Sequence, residues 1–315
     1  MKALVLNDGA LTLTERPTPA AGAGEVVVAV AAAGINAADL LQRRGVYPPP
    51  PGWPVDVPGL EMAGVVVTLG EGVDTRWLGR RVCAIVGGGA QATRCVVPAA
   101  HLIEVPDTVE WSEAGGIAEA VLTAHDALVT QAGLRPGERV VISGAAGGVG
   151  LAALQIAHSL GAKVIAVTRD ELHHEALRAL GADETHTLEN VRSLASVDVV
   201  LELVGAPHLE RVVDVLAPGA RVVVIGVGAG ARATINLQSI MVRRLVLSGS
   251  TMRARSLEEK ARVVQAAREW LDDRWRDGAV TMPLARRFDL ARADDAYSAF
   301  AQAGKFGKIV LTVDS

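Results

Sequence analysis

Residues 143–150 read Ser143-Gly144-Ala145-Ala146-Gly147-Gly148-Val149-Gly150, with glycine at four of the eight positions. Such a run suits the binding of a bulky anion. Glycines let the backbone turn tightly and approach a phosphate closely, and a helix beginning there offers free N–H groups and the positive end of its dipole. In the G-x-G-x-x-G frame the residues are Ala145, Gly147 and Gly150, so alanine replaces the first glycine while Gly144 can still supply the turn. About twenty residues on, an NAD-binding chain usually places a carboxylate against the ribose 2′-hydroxyl. Here the small, neutral Thr168 takes that position. Arg169 follows with a guanidinium suited to bidentate contact with a 2′-phosphate. Asp170 is able to pair with Arg169 or turn toward a ribose. The pattern predicts a dinucleotide site that prefers NADP.

The glycines need a strand before them and a helix after. Val140, Val141 and Ile142 form a β-branched apolar run of the type buried on both faces of a parallel sheet. Leu151, Leu154, Ile156 and Leu160 recur at helical spacing, and Gly161 closes that helix. A second apolar run at 164–167 follows at once. Strand, glycines, helix and strand agree as one βαβ unit of about thirty residues, unlike a glycine-rich turn that binds nothing.

A length of 315 residues suits two domains. The net charge of -4 comes with no basic stripe for nucleic acid and no polybasic patch for a membrane. Cys83 and Cys95 are too few for a disulfide framework and lack zinc-finger spacing. No apolar stretch reaches membrane-spanning length, and the opening MKALVLNDG is too weak for a signal peptide, so a soluble cytoplasmic protein is expected.

Residues 1–118 are β-rich, with short runs at 2–6, 25–33, 64–69, 81–86 and 94–97 between glycine and proline clusters, and one helix at 37–43. The segment 45–59, GVYPPPPGWPVDVPG, has prolines that lack N–H donors, and it reads as a rigid surface loop of the kind that lines sites. From about 119 helix and strand alternate. A helix at 171–180 precedes strands at 197–203, 221–225 and 244–248, then a long charged helix at 256–275 in which Ser256 and Glu259 have capping-box spacing. A helix at 291–302 and a strand at 309–313 complete the chain.

Five segments, GINAADLLQRRGVYPPPPG (34–52), PGLEMAGVV (58–66), SGAAGGVG (143–150), GSTMRARSLEEK (249–260) and GKFGKIVL (304–311), occur in this order. Together they resemble the zinc-independent, zeta-crystallin-like quinone oxidoreductases of the medium-chain dehydrogenase/reductase superfamily. The resemblance implies an α/β protein with a GroES-like β-barrel catalytic domain, 1–118 with 256–315, and a doubly wound Rossmann domain, 119–255. It also implies a substrate site in the cleft between them and a homodimer through residues 244–250, from Arg244 to Ser250, read as the last strand of the Rossmann sheet and therefore an open edge.

Zinc-dependent relatives carry cysteine where this chain has Asn36 and histidine where it has Leu60, and leucine cannot coordinate a cation. His101, His125 and His158 read as surface or packing residues rather than ligands. No catalytic metal is expected, and no nucleophile elbow is present. What remains suits hydride transfer to an acceptor that is already electrophilic, whose developing oxyanion needs hydrogen bonds and a proton. The resemblance implies that Asn36 and Tyr47 face the substrate and that Thr123 lies against the nicotinamide. Cofactor contacts are implied for Gly144, Ala145, Ala146, Gly147, Gly148, Val149, Thr168, Arg169, Val204, Gly226, Val227, Phe306 and Lys308. Stacking on its own prolines is the other reading of Tyr47, and a structural amide the other reading of Asn36. Gln91, His125 and Leu188 depart from the aromatic residues of relatives, and aromatics make up only 3% of the chain, so few rings are available to grip a flat quinone. Three functions follow: NADPH-dependent quinone reduction, reduction of α,β-unsaturated carbonyls, and cofactor binding without catalysis.

Overall fold

In the computed structural model, which describes residues 1–313, Asp8 and Gly9 take φ of 46° and 81° and turn β1 (Lys2–Asn7) back onto β2 (Ala10–Glu15). The β2 strand was not among the expected elements, although an Asp-Gly pair between alternating residues is a hairpin signal. The chain continues through β3 (Glu25–Ile35), α1 (Ala37–Arg43), β4 (Glu61–Leu69), β5 (Arg81–Ile85), β6 (Arg94–Pro98), β7 (Ile103–Glu104), α2 (Trp111–Ala114) and α3 (Ala118–His125). Two compact units divide it: Met1–Leu122 with the chain from Met252 on, and Thr123–Thr251.

The first unit is built on a sheet in the order β14 (Leu284–Asp289), β15 (Lys308–Thr312), β3, β4, β5, β7, with β6 also paired to β3. Its late members are α8 (Leu257–Arg276), β14, α9 (Ala293–Ala301) and β15. Val26, Val28, Val30, Met62, Leu102 and Leu311 fill its core. Each such side chain contributes about 1.5–3 kcal/mol by leaving water. The α8 helix opens with the expected capping box, Ser256 Oγ accepting the Glu259 N–H and the Glu259 carboxylate accepting the Ser256 N–H. Cys83 and Cys95 are free and buried; burial pushes the Cys95 thiol up to about 12 and raises that of Cys83 as well.

The second unit includes, near its start, a π-helical turn at Asp126–Gln131. Its elements are β8 (Arg139–Ser143), α4 (Gly148–Ser159), β9 (Lys163–Thr168), α5 (His174–Ala179), β10 (Glu184–Thr187), β11 (Val197–Glu202), α6 (Ala206–Val212), β12 (Leu216–Val224), α7 (Leu237–Arg243) and β13 (Val246–Gly249). The sheet is parallel, in the order β10-β9-β8-β11-β12-β13, so counted from its own first strand it runs 3-2-1-4-5-6. That is the Rossmann order, with its reversal between β8 and β11. The fold is thus a GroES-like domain plus a Rossmann-like domain.

Several elements of this unit depart from expectation, the α6 helix and the π-helical turn among them. The strand expected at 244–248 starts later, because Arg244 takes a left-handed conformation (φ 54°) and ends α7. The N–H groups of Arg244 and Leu245 there meet the carbonyls of Met241 and Ile240. The α7 helix was not expected, nor was β10, whose residues Glu-Thr-His-Thr present no apolar run.

Candidate functional site

In the second unit the glycine run lies at the carboxyl end of β8, and each glycine has a separate task. Gly144 turns the chain at φ 61°. Ala145, buried, donates its N–H to Val167 O at 3.1 Å, so the alanine in the first glycine's place is tolerated where Gly144 has already made the turn. A Cβ on Gly150 would meet Ala145 Cα and Gly144 O at 2.6 Å, so this glycine lets α4 pack directly on the turn. A Cβ on Gly147, the N-cap of α4, would meet only Gly144 O, at 3.4 Å. Its open face, the half-buried Gly148 and Val149 behind it and the free N–H groups of the helix start form a cradle that fits a pyrophosphate.

The other residues of this unit named for the cofactor lie at the carboxyl ends of their strands. Thr168 ends β9, buried, with Oγ1 accepting the Asp170 N–H at 3.4 Å, and Arg169 beyond it is exposed. The Asp170 carboxylate accepts the Leu172 N–H at 3.0 Å and caps the 3₁₀ turn Glu171–His173. Val204 follows β11; Gly226 and the exposed Val227 follow β12, with the Gly226 N–H on Glu202 O at 3.1 Å. Leu188 is half-buried and packs on the core of this unit. Thr123 and His125 are buried on α3.

Across the strand-order reversal, Glu202 at the end of β11 is fully buried. Its Oε1 accepts Ser143 Oγ–H and the N–H groups of Val204 and Gly205, each at 2.8 Å, and its Oε2 accepts His208 Nδ1–H at 2.5 Å. Burial alone would raise this carboxyl; the His208 pairing and the two backbone donors hold it below the usual range instead.

In the first unit Asn36 stands at the start of α1, half-buried. Its Nδ2 donates to Glu61 Oε1 at 2.9 Å and its Oδ1 accepts from Lys308 Nζ at 2.7 Å. Lys308 also donates to Glu61 Oε1 at 2.5 Å, and Glu61 Oε2 accepts the Glu119 N–H at the start of α3 at 2.9 Å. Lys308, named on the cofactor side by resemblance, thus directs its ammonium at Asn36 and Glu61; Phe306 lies two residues before it, half-buried. Gly34 leaves room for this cluster, since a Cβ there would collide with the Glu61 carboxylate.

Tyr47, half-buried, has its carbonyl on Arg253 NH1 at 2.9 Å and its ring beneath the same guanidinium, 5.1 Å from the centroid. Arg253 also donates to Gln42 Oε1 at 2.6 Å and to Gly87 O at 3.0 Å. Glu61 and Arg253 were not read as site residues from sequence; a carboxylate opening an otherwise apolar strand was the available signal for the first. Gln91 lies in the core, accepting the Tyr297 hydroxyl at 2.8 Å. Leu60 is buried, and among the described residues no three His, Cys, Asp or Glu side chains gather to hold a metal ion.

Asp39, on α1, accepts the N–H groups of Asn36 and Gly59 at 2.8 and 3.1 Å. Burial pushes its carboxyl up to about 6, against the pull of those donors and of Arg253 and Lys308. The native state therefore binds this proton more tightly than the unfolded chain. Its contribution to stability is full below pH about 4 and is lost as pH rises through about 6, in total about 3 kcal/mol. Unfolding free energies of wild type and Asp39→Asn, compared between those pH values, should move by about that amount against the wild type. A difference constant with pH contradicts the assignment.

The two folds and the phosphate cradle define a two-domain nucleotide-binding protein. A family model described as "Alcohol dehydrogenase GroES-like domain" matches residues 22–107, and one described as "Zinc-binding dehydrogenase" matches residues 148–269. The chain is 30% identical over 305 residues to the quinone oxidoreductase-like protein 2 homolog of Nematostella vectensis, covering 92% of this chain and 82% of that one. It is 35% identical to the polyketide synthase GfsB of Streptomyces halstedii over 92% of this chain, yet spans only 5% of that protein. Among solved structures, the quinone oxidoreductase of Thermus thermophilus, described with its NADPH complex, superposes with a TM-score of 0.85 at 33% identity, covering 99% of this chain and 100% of that one. The chain belongs to the medium-chain dehydrogenase/reductase superfamily of oxidoreductases, with quinone oxidoreductase-like relatives, and membership implies a pyridine-nucleotide cofactor.

Proposed function

We propose that this chain reduces quinones by hydride transfer from NADPH without a metal ion. The observation that carries the metal-free reading is the pair of side chains at positions 36 and 60. Asn36 donates one Nδ2–H to Glu61 and its Oδ1 accepts from Lys308, where a thiolate ligand would stand, and the buried Leu60 has no donor atom. The bound nicotinamide supplies the hydride. Asn36 and Tyr47 donate hydrogen bonds to the oxygen on which charge develops, and Tyr47 or solvent returns the proton. Thr123 would lie against the nicotinamide ring of a bound cofactor. Reduction of α,β-unsaturated carbonyls is the second reading, favoured by the 3% aromatic content, which leaves few rings to stack on a large quinone. A panel of quinones, enals and enones, followed by loss of nicotinamide absorbance, separates the two; turnover of none of them overturns both.

The preference for NADPH rests on Arg169. With Asp170 engaged as a helix cap, the Arg169 guanidinium is exposed and has no ion pair among the described residues. Arg169→Ala should raise the KM for NADPH about ten- to a hundredfold and leave NADH nearly unchanged. Equal effects on both cofactors contradict that role.

A homodimer belongs to the same proposal. β13 is the edge strand of the parallel sheet, and Leu237, Met241 and Val242 on α7, with Val246 and Leu247 on β13, expose apolar surface there. Open N–H and C=O groups beside such a patch suit a two-fold copy of the strand. Light scattering at micromolar concentration should give twice the chain mass, and a monomer mass overturns the assembly. No helix among the described residues is long and apolar enough to cross a membrane, and the two free thiols fit the reducing cytoplasm in which we place the protein.

A further inference from the structure

We propose that Glu61 and Lys308 are positioning residues that fix the direction of the Asn36 carboxamide and aim its second N–H bond at the substrate carbonyl. The inference rests on the reduction proposed above. The two ends of a carboxamide are nearly alike in shape, so its surroundings decide which way it faces. Around Asn36 those surroundings are two opposite charges. Nδ2 donates to the Glu61 carboxylate at 2.9 Å, and Oδ1 accepts from the Lys308 ammonium at 2.7 Å. Turned over, the amide would set its N–H bonds against an ammonium and its carbonyl against a carboxylate. Glu61 is 0% and Lys308 4% exposed, so little water screens that difference.

The charges are themselves held. They pair with each other at 2.5 Å, and Glu61 Oε2 is tied to the Glu119 N–H at the start of α3. Glu61 takes one of the two Nδ2–H bonds, and no second acceptor for Nδ2 lies among the described residues. The remaining N–H belongs to a half-buried residue and is polarised, because Lys308 draws density toward the carbonyl end of the same amide. A donor fixed before reaction stabilises an oxyanion without reorganising as the charge forms. This gives Lys308 a task distinct from contact with the cofactor: its ammonium acts on the substrate through Asn36.

The test uses Lys308→Met, and Glu61→Gln/Lys308→Met, which leaves no unpaired buried charge and so keeps the fold if Lys308→Met alone does not. Lys308→Arg is the conservative control. Turnover with a quinone, NADPH affinity by fluorescence and the Asn36 side-chain ¹H–¹⁵N signals are measured on each. The Met variants should lower kcat about 30- to 100-fold with NADPH affinity within about twofold of wild type, and Lys308→Arg should recover most of the loss. The two Asn36 amide protons, well separated in wild type, should move together in the Met variants. A kcat within about threefold of wild type in the double variant, or a loss confined to NADPH affinity, overturns the proposal. If the wild type reduces no quinone or enone, the functional reading fails alone; Asn36 signals unchanged in the double variant then overturn the positioning role on their own.

Discussion

Gly147→Ala should leave the protein folded and remove most of its affinity for NADPH, while Gly150→Ala should damage the fold itself. Both glycines belong to one frame, and what a Cβ would meet separates them. At Gly147 the φ of -84° is ordinary for any residue and the added carbon meets only one carbonyl oxygen, at 3.4 Å. On the proposed reading, that carbon would stand where the pyrophosphate approaches the N-terminus of α4. Two charge-assisted backbone hydrogen bonds weakened there amount to about 3 kcal/mol, or roughly a hundredfold in affinity. At Gly150 the carbon would meet backbone atoms of Ala145 and Gly144 at 2.6 Å, and backbone cannot swing aside as a side chain can. Overpacking of that kind costs about 1–3 kcal/mol, and with two backbone neighbours the upper end is expected. Fluorescence titration with NADPH and urea unfolding of both variants check the pair. Equal loss of stability in both, or unimpaired binding by Gly147→Ala, contradicts the division of roles.

Glu202→Ala should destabilise the second unit by about 3–5 kcal/mol. It strands His208 and the N–H groups of Val204 and Gly205, and leaves the Ser143 hydroxyl only the longer bond to Leu201 O at 3.3 Å, all within or beside the buried end of β11. Glu202→Gln keeps an oxygen for the backbone donors and loses the charge opposite His208, so it should cost less, about 1–3 kcal/mol. Because the native carboxyl lies below its ordinary range, the stability it contributes is present above the unfolded pKa and fades as pH falls through the folded value. Urea midpoints of the two variants across acid pH read this directly. A loss below about 1 kcal/mol for Glu202→Ala, or a loss that does not shrink in acid, contradicts it.

The second unit was largely legible because its signals are local. Strand, glycines and helix between Val140 and Leu160 are neighbours in sequence, and their periodicities report burial without knowledge of the rest. The cluster that holds Asn36 was not legible for the opposite reason. Lys308 and Asn36 are 272 residues apart, and Lys308 and Glu61 are 247 apart. Only the antiparallel pairing of β15 with β3, and of β3 with β4, brings them together. No spacing within one element encodes such a meeting. The Arg253 contacts to Gln42 and Tyr47 bridge more than 200 residues in the same way. Elsewhere the information was present and a different principle governed: the Asp8-Gly9 pair announces the β1–β2 hairpin, and the left-handed Arg244 shows that a cap can outrank the apolar run that follows it. β10 and the π-helical turn at 126–131 carry no local pattern, since one is a short, half-buried run and the other a slip in helical register.

Metal-free hydride transfer is the centre of the account, and one measurement reaches it most directly. The protein is stripped with a strong chelator, dialysed, and mixed with NADPH deuterated at the transferred position and a simple quinone in a stopped-flow cell. The expected result is oxidation of NADPH at the rate of untreated protein, slowed by the deuterium. Activity lost on chelation and restored by zinc, or oxidation insensitive to the label in a single turnover, contradicts it.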